Sequence, residues 1–86
     1  MTIQEFKILT EDERYILWLE RSVRVAMYEK DFYTYELYQL ESFYIEIRSH
    51  KFFPGKERWA AFSGGQYIEP YLQQIDISIL GYANNI

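Results

Sequence analysis

The sequence predicts an α+β domain, a four-stranded antiparallel β-meander flanked by an N-terminal and a C-terminal helix. Three observations carry that expectation. Side chains alternate with period two from Val23 to Ile47, broken by short polar interruptions at Lys30-Asp31 and Glu41-Ser42. A helix-start pattern lies before this region, at Thr10 to Glu13, and apolar residues at helical spacing surround Pro70 after it. Interruptions this short force antiparallel pairing, because a parallel return needs about a dozen residues or more.

In the first helix Thr10 is placed to cap and Glu13 to complete a capping box, and Glu11, Asp12 and Glu13 suit the positive end of the helix dipole. Tyr15, Trp18 and Leu19 then recur at helical spacing, and Arg21 falls where a cation is favourable. The expected helix is Glu11 to Arg21, with residues 1–9 as an extended N-terminus. The expected strands are Val23 to Met27 and beyond, Phe32 to Leu40, Phe43 to about Arg48, and Arg58 to Phe62, with Pro54-Gly55 marking the last turn. Pro70 suits a helix start, since it lacks the donor an interior position needs. Ile75, Ile77 and Ile79 read as an extended tail and 80–86 as a frayed end.

With two-residue turns at Lys30-Asp31 and Glu41-Ser42, the set Val23, Val25, Met27, Phe32, Thr34, Tyr38, Leu40, Phe43, Ile45 and Ile47 shares one face. That face is expected to hold the core, with Trp59 joining it. Arg24, Tyr28, Tyr33, Tyr35, Leu37, Tyr44, Glu46 and Arg48 fall on the other.

Eighty-six residues make one domain, 1–86, with a thin stability margin. Cysteine is absent and the single histidine, His50, cannot form a closed metal site, so packing must replace the usual staples. Two Trp, nine Tyr and six Phe supply that packing. The lack of cysteine, of a signal-like N-terminus and of a long apolar run suits a soluble cytoplasmic protein with no membrane partner. A formal charge of −4 offers no general attraction to nucleic acid. Residues 1–46 hold ten acidic and five basic groups, whereas the basic share of residues 47–86 clusters between Arg48 and Arg58.

The stretches Phe43-Tyr44-Ile45-Glu46-Ile47, Phe62-Ser63, Ile68-Glu69-Pro70-Tyr71-Leu72 and Ile75-Asp76-Ile77-Ser78 carry a resemblance. They are similar to a family of short bacterial proteins of unknown function, in a match that spans about half the chain. That family's pattern is an aromatic-rich strand, a tight turn, a Phe-Tyr-Val-Glu-Val-like strand, an Arg-containing strand ending in Phe, then Leu-Glu-Pro-Tyr-Leu and Ile-Asp-Leu-Ser. The resemblance implies the same architecture and supplies no activity. Two departures stand out: Glu41-Ser42 replaces an Asp-Gly-like turn, and the tip from Lys51 to Gly55 is longer and carries two phenylalanines.

The sequence names no catalytic residue, no cofactor-binding residue and no metal ligand, so a non-enzymatic role is expected. Ser49 and His50 are adjacent and would point to opposite faces of a strand. Glu36 is the one chemical oddity, an acid on the expected apolar face, where a catalytic carboxyl, a tyrosine or arginine partner, a bulge or a different register would account for it. Two binding roles compete. Protein association, by homodimerisation or by docking on another protein, would use Tyr28, Tyr33, Tyr35, Leu37 and Tyr44, with Phe52 and Phe53 as a second contact. The alternative is single-stranded nucleic-acid binding by Arg48, Lys51, Lys56 and Arg58 around the two phenylalanines.

Overall fold

The computed structural model describes residues 1–65 and 68–72, so Tyr67 and the expected extended tail and frayed end lie outside the described residues. Helices α1 (Ile3–Lys7) and α2 (Glu11–Arg21) precede strands β1 (Val23–Lys30), β2 (Tyr33–Leu40), β3 (Phe43–His50) and β4 (Arg58–Phe62). The strands form one antiparallel sheet in the order β1-β2-β3-β4, the expected meander. A helical turn follows at 69–72, beginning next to Pro70 as its missing donor requires. No helix among the described residues is long and apolar enough to cross a membrane.

Helix α2 has the expected bounds and cap. Thr10 Oγ1 accepts from the Glu13 N–H at 3.2 Å, and Glu13 Oε1 accepts from the Thr10 N–H at 3.0 Å. The same device closes α1, where Thr2 and Glu5 exchange bonds of 3.1 and 2.7 Å. The N-terminus is therefore helical at residues 3–7, not extended. The Thr-x-x-Glu pattern occurs twice, but α1 has only five residues and too few turns to display a period. The α2 stripe is also rotated from expectation. Arg14, Leu17 and Trp18 turn inward, while Ile16 and Leu19 are exposed.

The β2–β3 register is the expected one: Leu40 pairs with Phe43, Tyr38 with Ile45 and Glu36 with Ile47. The β1–β2 hairpin turns one residue later than expected, at Asp31-Phe32, with Lys30 opposite Tyr33. Asp31 takes the left-handed backbone at φ 57°, which Asp tolerates better than Lys because its short side chain can bond locally. Phe32 thereby leaves the core and stands 59% exposed. A β-bulge between Arg24 and Ala26 then inserts Val25 as an extra residue and exchanges its neighbours. Arg24 moves to the helix-covered face opposite Tyr38, and Val23 to the other opposite Gln39. Val23, Val25 and Met27 are exposed, so this part of the expected core is absent.

Two small cores flank the sheet. Under α1 and α2, Phe6, Leu40, Phe43, Ile45 and Ile47 are buried, with Leu17, Trp18 and Tyr38 packed against them. On the other face Leu37, Phe62 and Tyr71 are buried, with Tyr28, Tyr35, Tyr44 and Ile68 around them. The tyrosine-rich face is thus partly covered, by residues 68–72.

Truncating Phe43, fully buried against Phe6 with ring centroids 5.2 Å apart, is expected to cost about 3–5 kcal/mol. Phe32→Ala is expected to cost about 1 kcal/mol or less, because its ring is already largely solvated. Urea unfolding of the two variants checks the contrast; equal losses would return Phe32 to the core.

Candidate functional site

Three surfaces bring chemically distinctive side chains together. The first is the tyrosine-rich face. Tyr71 is the plug of this face and is 1% exposed. Its ring meets Tyr28 edge-on at 4.8 Å, and Tyr28 in turn stacks on Tyr35 at 4.6 Å. The Tyr71 hydroxyl donates to Glu46 Oε2 at 2.7 Å. Burial first, and this bond second, hold the Tyr71 phenol well above its usual range; burial raises Tyr28 as well. Leu37 lies beneath this assembly at 2% exposure, while Tyr28, Tyr33, Tyr35 and Tyr44 remain half-buried. The Arg48 guanidinium sits 4.9 Å above the Tyr33 ring, so the open end of the face is polar and aromatic together.

The second surface is the end of the sheet where the β1–β2 turn and the β3–β4 loop meet. Phe32, Phe52 and Phe53 are all more than half exposed. They gather on the half-buried His50, at centroid distances of 6.1, 6.1 and 4.7 Å, with Tyr33 against the same ring at 5.0 Å. His50 Nδ1 accepts the Phe52 N–H at 3.0 Å and so holds the start of the loop. His50 is thus a half-buried hub of rings, and Phe52 and Phe53 both stay largely in solvent. The four basic candidates do not converge there. Lys51 Nζ lies 2.8 Å from Glu29 Oε2, Arg48 is over Tyr33, and only Lys56 and Arg58 are exposed without an ion-pair partner among the described residues.

The third surface lies on the helix-covered face, beside α2. Met27, Glu36, Ile47 and Trp59 are direct partners across the four strands and form one row. Above it a groove of about 420 Å³ is lined by Tyr15, Trp18, Glu36, Tyr38, Ile47, Glu57 and Trp59. Trp18 meets Tyr38 and Trp59 edge-on at 5.2 and 5.0 Å, and Tyr15 leans on Trp18 at 5.5 Å. Trp59, expected in the core, is 42% exposed in this wall. Glu36 is half-buried and has both partners the sequence allowed for: Arg24 Nη1 and the Tyr38 hydroxyl each donate to Oε2 at 3.1 Å. The Trp18 Nε1–H is shielded from solvent and has no acceptor among the described residues.

Sequence reasoning had identified Glu36 but missed the groove. Its signal was the pair of tryptophans, the only two in the chain, one on a helix face and one on a strand. No protein-family model, curated protein or solved structure matches the chain.

A pH dependence follows from Tyr71. Its folded-state pKa is raised above the ordinary phenol value of 10.0, so its stabilising contribution is complete below about pH 10 and is lost as pH rises above that value. Stability measured by urea unfolding is expected to fall through this alkaline window. Tyr71→Phe should flatten the fall and cost about 1–3 kcal/mol at neutral pH, because Glu46 loses its donor. An unchanged alkaline slope in the variant would remove Tyr71 as its source.

Proposed function

We propose that the protein is a non-catalytic association module whose partner is a second copy of the chain and whose contact surface is the phenylalanine tip. The observation that carries this reading is the exposure of Phe32, Phe52 and Phe53 side by side, between 58% and 66%. A domain without staples gains nothing from leaving three adjacent rings in water, and interfaces are enriched in such anchors. The tip supports this role better than the tyrosine-rich face, because Tyr71 already occupies the middle of that face. A two-fold arrangement lets each copy offer the same rings to the other, which closes the assembly at a dimer. Three phenylalanines cover only a few hundred Å², below the roughly 800 Å² per partner of a standard interface. The dimer is therefore weak and concentration-dependent.

Single-stranded nucleic-acid binding is the second reading, favoured by the exposure of Lys56 and Arg58 beside Phe52 and Phe53. The pairing of Lys51 with Glu29 and the presence of Glu57 in the same loop weigh against it.

Sedimentation equilibrium separates the two. The average mass is expected to rise above the 10.5 kDa of one chain as concentration goes from micromolar to millimolar, and to change little with salt. The double variant Phe52→Ser, Phe53→Ser should stay at one chain. A wild-type monomer throughout, or an oligonucleotide affinity that collapses with added salt, would overturn self-association in favour of no partner or of nucleic acid.

A further inference from the structure

We infer that the groove between α2 and the sheet is a binding site for a small quaternary ammonium compound. Its volume of about 420 Å³ lies within the usual range of small-molecule pockets. Four of its seven lining residues are aromatic. Trp18 meets both Tyr38 and Trp59 edge-on, at interplanar angles of 73° and 78°. Tyr15 and Trp59 keep 51% and 42% of their surface exposed, and an aromatic face is electron-rich and attracts cations, tryptophan most strongly.

The charges in the groove select the same ligand. Glu36 and Glu57 are the only ionisable acids or bases that line it apart from tyrosine. Glu36 is offset by Arg24, at 3.1 Å. Glu57 has no ion-pair partner among the described residues, and its Oε1 takes only a long bond of 3.4 Å from the Gly55 N–H. An anion would meet Glu57 and the ring faces and be repelled. A neutral apolar ligand would fill the space but gain nothing from Glu57. A primary ammonium is strongly hydrated and gives up more on entering an aromatic wall than a quaternary one, whose methyl groups pack on the rings. Choline has the size and the charge.

Both tryptophans of the chain stand in this groove, so their signals report on it. The probe is choline chloride, titrated into the full chain at constant ionic strength while tryptophan emission and the two indole N–H resonances are followed. Saturable shifts of both indole signals in the millimolar range are expected. Choline's uncharged carbon analogue, with carbon in place of nitrogen, should bind about tenfold more weakly or worse. Glu57→Gln, at an exposed position that leaves the fold intact, should weaken choline about threefold to tenfold. No saturable shift with choline, or equal affinity for the uncharged analogue, overturns the site. So does an unchanged choline affinity in Glu57→Gln.

Discussion

The pairing of β2 with β3 is the constraint on which the rest of this molecule depends. These are the two strands with neighbours on both sides, and they supply buried residues to both cores. Leu40, Phe43, Ile45 and Ile47 point to the helices, and Leu37, Tyr44 and Glu46 to the segment at 68–72. A one-residue slip would exchange the two sets and place Glu46 under Phe6, so the register is held from both faces at once. A sheet with only one buried face would have left this cysteine-free chain with half the packing.

The two cores are not equivalent. The helix-side core is wholly apolar at its centre, which lets Phe6 and Leu17 close over Phe43 and Ile45 without polar partners. The opposite core is built from amphipathic rings around one buried hydroxyl, and its geometry is set by the bond from Tyr71 to Glu46. A hydrogen bond to a carboxylate adds geometric specificity as well as stability. Hence Glu46 and the Tyr71 beside Pro70 are two halves of one device, separated by 25 residues.

The surfaces with functional promise lie where each core runs out. Helix α2 has no fully buried residue, and its rings meet the row Met27-Glu36-Ile47-Trp59 at Trp59, so they form a wall instead of a lid. The hairpin ends carry Phe32, Phe52 and Phe53 past the last buried residue of the sheet. In both places aromatic residues meet water because the elements that could cover them are elsewhere, not because of any local conformational preference.

The sequence by itself determined the meander, the α2 boundaries and the β2–β3 register, because capping boxes and period-two alternation are local signals spread over many residues. It also singled out Glu36 as an acid on an apolar face and named arginine or tyrosine as its remedy. Only the tertiary structure decided which aromatics are buried. The turn at Asp31-Phe32 differs by one residue from the obvious one, and the bulge at Val25 exchanges Val23 with Arg24; neither has a strong marker, since both are set by competition between backbone conformation and packing. The cover on the tyrosine-rich face, and the meeting of Trp18 with Trp59, join residues far apart in the chain. No period or spacing encodes such a contact, because it arises only when separate elements fold onto the same sheet.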